Sequence, residues 1–182
     1  MNRTSEVFPA NAELIHDEAR VREAYQTLAD AISRDFQDTN PVMLVVLMGG
    51  LIPAGQLLPL LNFPFTLATV HATRYRGDTL GGELHWLARP SCDLKGRDVL
   101  LVDDILDEGH TLKALVNHCE EAGARRVSTS VLVRKQRSSP PAVQVDYFGL
   151  EVPDRYVFGC GMDLHEYHRQ WPAIYAVPET DP

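Results

Sequence analysis

Asp98-Val-Leu-Leu-Val-Asp-Asp-Ile-Leu-Asp-Glu-Gly-His-Thr111 is an apolar run that ends in acids and a turn. Val99 to Val102 is too short for a buried helix and β-branched enough for a strand covered on both faces. Asp103, Asp104 and Asp107 follow at once, and a core does not accept such groups unpaired. From Thr111 the period changes. Leu112, Leu115, Val116 and Cys119 fall at i, i+3, i+4 and i+7, which predicts a helix with Gly123 just past its end. The order strand, acidic turn, helix places the N–H groups of residues 108–112 at a helix N-terminus. Unpaired donors and the helix dipole suit a phosphate there, and Gly109 lets the main chain approach closely. Hydroxyls donate to carboxylates, and Mg²⁺ takes carboxylate oxygens together with substrate phosphates. A sugar phosphate with Mg²⁺ is therefore the first chemical expectation.

The flanking segments repeat the design. Val42 to Met48 is a second continuous apolar strand ending in Gly49-Gly50, and Leu51 to Leu61 reads as a helix with Pro53 in its first turn. The glycine pair lacks the spacing of a P-loop and the third glycine of a dinucleotide fold, so alone it is weak evidence for a second anion seat. Asp17 is a plausible N-cap for an amphipathic helix whose apolar face is Val21, Tyr25, Leu28, Ile32 and Phe36. Residues 1–10 read as a tail. Phe65 to Tyr75 and Glu83 to Ala88 read as strands around a glycine-rich tip, which is either an idle hairpin or a flap. Arg126 to Val133 is another strand, so residues 98–133 form a βαβ unit, which requires a parallel sheet. Ligands bind such sheets at the carboxyl ends of the strands, where Gly49-Gly50, residues 103–111 and Arg134-Lys135 converge. Tyr147 to Val152, Tyr156 to Phe158 and Ala173 to Val177 are strand-like pieces. They are expected in a small lobe over the strand ends, built with the N-terminal segment. The expected division is a core at about 37–145 and a hood at about 1–16 and 146–182.

With 182 residues and 45% hydrophobic content, the chain can bury one core. A net charge of −8 argues against nucleic acid or an anionic membrane as partner. Cys92, Cys119 and Cys160 lack CxxC spacing and read as reduced thiols of a cytoplasmic protein. His165 and His168 are spaced for a metal, but no further ligand accompanies them.

The stretch VLLVDDILDEGHTL resembles the phosphoribosyl-diphosphate signature of the type I phosphoribosyltransferases. Together with LMGG at 47–50, VRK at 133–135 and PDRYVFGCGMD at 153–163, it is similar to the hypoxanthine-guanine phosphoribosyltransferases. The resemblance runs from about Glu13 to Val177. It implies an α/β fold with a central parallel sheet flanked by helices, and transfer of 5-phosphoribosyl from its diphosphate donor to N9 of a 6-oxopurine. It also implies Mg²⁺ as cofactor and a homodimer or homotetramer.

By that resemblance Asp103 and Asp104 hold the ribose hydroxyls, directly or through Mg²⁺, and Asp107 is the general base at purine N7. Asp107, Glu108, Gly109, His110 and Thr111 wrap the 5′-phosphate. Met48 and Gly49 contact pyrophosphate, in this family often through a non-proline cis peptide, and Arg169 grips it as it leaves. Lys135 donates to O6, Tyr156 stacks on the base, the Val157 main chain reads its edge, and Asp163 binds a second Mg²⁺. Arg74 and Tyr75 begin a flap over 75–84, which raises the flap above the idle hairpin. Glu108 stands where threonine is common. Its carboxylate would be repelled by phosphate, so it is expected to face solvent. His110 replaces a usual lysine or arginine and is read as neutral and exposed. Arg74 stands where serine is frequent.

Two rival readings stand beside this one. One is a regulator on the same fold that keeps the nucleotide pocket but binds RNA, which the acidic charge disfavours. The other is a phosphoacceptor receiver domain. Its acidic pair lies near the start of the domain, whereas here the pair begins at residue 103.

Overall fold

The fold is set by strands too apolar to leave either face in water. The computed structural model describes residues 8–9, 11–74 and 84–178. β2 (Val42–Val46) and β5 (Asp98–Leu106) pair in parallel register, Val42 against Val99 and Val45 against Val102. Their alternate side chains enter two separate cores. Met43, Val45, Leu100 and Val102 pack against α1 (Glu18–Phe36), while Val42, Leu44, Val99 and Leu101 pack toward α3 (His110–Glu121). Two helical layers thus cover one sheet.

That sheet has six strands in the order β4-β3-β2-β5-β6-β7, with β3 at Thr66–Arg74, β4 at Leu84–Ala88, β6 at Arg126–Gln136 and β7 at Tyr147–Pro153. Only β4 runs antiparallel, on β3. The chain moves one way from β2 to β3, then returns to lay β5, β6 and β7 on the other side. The switch point therefore lies between β2 and β5, where a crevice opens at the strand ends.

α1 begins where expected. The Asp17 carboxylate accepts from Arg20 N at 2.8 Å, and Val21, Tyr25, Leu28, Ile32 and Phe36 are all buried. α2 (Leu51–Leu57) is shorter than its apolar run. It tightens into a 3₁₀ turn at Leu58–Leu60 as Pro59 removes a backbone donor.

A second sheet of order β1-β9-β8 joins Glu13–His16, Ile174–Ala176 and Val157–Phe158. Arg155 ties it together, with Nη1 on Glu13 at 2.5 Å and Nη2 on the Val177 carbonyl at 3.0 Å. Phe8, expected in a free tail, packs edge-on against Trp171 and Tyr175.

Two expectations need correction, and one lies outside the described residues. Tyr147–Pro153 belongs to the main sheet, parallel to β6, and not to the small lobe. A helix-free connection after β6 hid that pairing from the pattern. β5 runs on to Leu106 and β6 to Gln136, because Asp103, Ile105 and Leu106 pair with Val131, Val133 and Arg134. Asp103, Asp104 and Lys135 are therefore strand residues. Tyr75 and most of the expected flap fall in 75–83, outside the described residues. Cys92, Cys119 and Cys160 are free. Burial pushes the Cys119 thiol up to about 11 and Cys160 up to about 12, which leaves both unreactive near neutrality.

Candidate active site

The carboxyl ends of β5 and β6 meet the small sheet in one cavity of about 190 Å³. Asp104, Ile105, Asp107, Lys135, Tyr156, Val157, Met162 and Asp163 line it. Six of the singled-out residues thus come together from positions 104 to 163. Asp103 is not among the lining residues. It lies beside the cavity, where its carboxylate accepts from Asp104 N at 2.9 Å.

Beyond β5 the chain leaves the strand at Asp107 and enters α3 through Gly109, at φ 76° in the left-handed region. Lys113 N donates to Gly109 O at 2.9 Å, so the N–H groups of His110, Thr111 and Leu112 precede the helical ladder. No side chain caps this end, whereas Asp17 caps α1. The donors that a serine or aspartate would occupy are left for an anion. Glu108 and His110 are exposed, and Thr111 is half-buried.

The turn after β2 contains a cis peptide between Leu47 and Met48. Leu47 N and Gly50 N donate to Val70 O and Val46 O at 2.8 Å each. The Met48 and Gly49 N–H groups donate to no main-chain carbonyl among the described residues. A Cβ at Gly49 would lie 2.2 Å from Asp104 Oδ2, so any larger residue displaces that carboxylate. Gly161 closes the third side. Its Cβ would meet Gly49 O at 2.3 Å. Arg169 donates to Gly161 O at 2.6 Å and pairs with Asp163 at 2.8 Å, so the expected pyrophosphate and magnesium residues hold each other.

Asp107 is held on both oxygens. Lys135 Nζ lies 2.8 Å from Oδ2, and Arg137 Nη1 bonds Oδ1. Arg137 was missed by the sequence reading. It stands two residues after Lys135 at the end of an extended strand, on the same face, and that period was the available signal. Ile105 and Met162, also missed, are apolar wall residues with no polar pattern to announce them.

Asp104 is 8% exposed and Asp103 half-buried. Burial, and then the charge of Asp104, push the Asp103 carboxyl well above the usual carboxylate range; burial also raises Asp104. Two crowded carboxylates of this kind suit a divalent cation. Among the described residues no group of three acids, histidines or cysteines is placed to hold a metal. That arrangement fits Mg²⁺, which uses one or two carboxylates and takes its other ligands from substrate and water.

Because folding raises these pKa values, it favours the protonated pair. The ionised pair weakens the fold increasingly as pH rises above about 4. Asp103→Asn removes that penalty. In thermal melts with chelator, it should raise the unfolding midpoint at pH 8 by about 2–4 °C for each kcal/mol relieved, and leave it unchanged near pH 4. Equal midpoints at pH 8 would contradict the repulsion.

A twisted parallel sheet with ligand groups at its switch point, an uncapped helix N-terminus and an acidic strand end define a class. The chain belongs to the phosphoribosyl transferase domain family, whose model matches residues 11–166. Within it the chain is similar to the hypoxanthine-guanine phosphoribosyltransferase of Streptococcus pneumoniae, 29% identical over 165 residues, 90% of this chain and 91% of that one. It is also similar to the Dictyostelium discoideum enzyme of the same name, 28% identical over 172 residues, 92% of this chain and 96% of that one. Among solved structures, a hypoxanthine-guanine-xanthine phosphoribosyltransferase superposes with a TM-score of 0.83 at 27% identity, covering 92% of this chain and 97% of its own. A Bacillus anthracis hypoxanthine-guanine phosphoribosyltransferase gives 0.81 at 26%, covering 91% and 99%. No described helix is long and apolar enough to cross a membrane.

Proposed function

We propose that this chain is a purine salvage enzyme, transferring 5-phosphoribosyl from phosphoribosyl diphosphate to N9 of hypoxanthine or guanine, with IMP or GMP and pyrophosphate as products. The observation that carries this reading is the pairing of Asp107 with Lys135 in a cavity that also holds Tyr156, beside an uncapped helix N-terminus. A cavity of about 190 Å³ is smaller than the ~300–1,000 Å³ typical of drug-sized ligands. An acid, a cation and an aromatic face within it match N7–H, O6 and the ring plane of a 6-oxopurine.

In the forward step the N9–C1′ bond forms, the C1′–oxygen bond to diphosphate breaks, and Asp107 takes the proton from N7. Lys135 moves from Asp107 to O6, where its ammonium stabilises the negative charge that grows as N7 is deprotonated. The N–H groups of residues 108–111 and the Thr111 hydroxyl hold the 5′-phosphate. The free N–H groups of Met48 and Gly49 receive diphosphate, and Arg169 turns toward it from Gly161. Asp103, Asp104 and Asp163 would hold Mg²⁺ jointly with the donor, and the ion when bound neutralises charge on the leaving diphosphate. By the same resemblance the chain is expected to associate into a homodimer or homotetramer.

Purified protein with phosphoribosyl diphosphate, Mg²⁺ and each of hypoxanthine, guanine, xanthine and adenine should yield IMP and GMP by chromatography. Absence of nucleotide with every base would sink the reading.

A further inference from the structure

The proposed reaction leaves a structural question at Asp107. In the described structure this carboxylate has a cation on each oxygen, Lys135 on Oδ2 and Arg137 on Oδ1. A base that donates through N7 and is polarised at O6 needs Oδ2 and Lys135 together, so Lys135 has to leave Asp107 when the purine enters. Asp107 stands in the turn just past the end of β5, where no ladder bond fixes it. A carboxylate released there would rotate, and misplacement by ~1 Å can cost on the order of 10² in rate.

Arg137 is built to prevent this. Its side chain is 26% exposed and reaches three acids on two segments: Asp107 and Glu108 in the turn after β5, the latter with Nη2 at 3.8 Å from Oε1, and Asp154 at 3.4 Å. Asp154 lies two residues before Tyr156, so the same guanidinium links the turn after β5 to the segment that carries the aromatic wall. A guanidinium stays charged under all working conditions and offers a planar fork, so it can fix a carboxylate without competing for the proton. Lys135, with its flexible stem, is the member free to move.

We propose that Arg137 is a positioning residue, holding Asp107 Oδ1 so that Oδ2 faces purine N7 after Lys135 has moved to O6. This rests on Asp107 being the general base. Arg137 itself touches no reacting atom.

Kinetics with hypoxanthine varied at saturating phosphoribosyl diphosphate and Mg²⁺, and with the donor varied at saturating hypoxanthine, test the idea in a double-mutant cycle of Asp107→Asn and Arg137→Ala. Arg137→Ala should lower kcat by about 10- to 100-fold and change KM for the donor by less than about twofold. Arg137→Lys should recover part of the loss, because the charge returns without the fork. In the Asp107→Asn background, removing Arg137 should change kcat by less than about twofold, since there is no base left to position. Arg137→Gln is carried through the same cycle, and thermal melts confirm folding, so the result stands even if the alanine variant folds poorly. A normal kcat in Arg137→Ala alongside a crippled Asp107→Asn overturns the inference alone. The same loss in both backgrounds also overturns it, because Arg137 would then act through the fold. A fully active Asp107→Asn overturns the base assignment and the inference together.

Discussion

Asp107→Asn lowers turnover with hypoxanthine by about 10²–10⁴ while donor binding stays within about threefold, the range lost when a positioned general base is removed. The amide is close to isosteric and still fits between Lys135 and Arg137, the two cations that hold the carboxylate. One of those cations must then face an NH₂ group in place of an oxygen, so a modest loss of stability accompanies the change. The loss of rate is larger, because an amide cannot take the N7 proton. A factor of 10²–10⁴ corresponds to about 3–5 kcal/mol of transition-state stabilisation. Donor binding is spared because the anion seat consists of main-chain N–H groups at the start of α3, which this substitution leaves in place. Steady-state kinetics give the first quantity, and calorimetric titration with phosphoribosyl diphosphate and Mg²⁺ gives the second. Unchanged turnover would remove Asp107 as the base, and loss of donor affinity would make it part of the phosphate seat instead.

The parts of the site legible in the sequence were those carried by local pattern. The change of period after Asp107, the apolar strand before Gly49-Gly50 and the cap at Asp17 each depend on neighbours a few residues away, and each is where the sequence placed it. The small sheet was legible in part: Tyr156 to Phe158 and Ala173 to Val177 read as strands with the N-terminal segment expected beside them, while Glu13–His16 carries too short a pattern to read as a strand. What failed involved pairing at a distance. The strand ends at Val102 by composition, but β6 offers partners as far as Val133 and Arg134, and the ladder carries Asp103 and Asp104 into the sheet. Tertiary pairing outweighs the poor strand preference of aspartate, as it commonly does. No helix leads into Tyr147 to Val152, which points to the small lobe, yet Tyr147–Pro153 supplies the outer parallel strand. Gly161 stands among the residues of the purine motif, but nothing in its neighbours shows that it touches residue 49.

That contact carries the second large effect. Gly161→Ala should abolish most turnover and lower the unfolding midpoint by roughly 6–12 °C, corresponding to about 3 kcal/mol in a chain of this size. Gly161 has φ 107°, which an alanine adopts only with strain. Its Cβ would also sit 2.3 Å from Gly49 O, 2.8 Å from Pro53 Cδ and 3.3 Å from Asp104 Cβ. Neither side can withdraw cheaply. Gly161 N and its neighbour Cys160 N donate to Arg169 O at 3.0 Å and Trp171 O at 2.8 Å, which fixes the strap. On the opposite side Gly50 lies so close to β5 that its own Cβ would meet Val102 O at 2.4 Å, which fixes the turn. The displacement therefore falls on the Leu47–Gly50 turn and on Asp104, which faces Gly49. Diphosphate contacts and metal contacts should weaken together. Thermal melts and kinetics at several donor concentrations separate the two consequences. A variant that melts lower but turns over normally at saturating donor would show that the Gly161–Gly49 contact serves the fold alone.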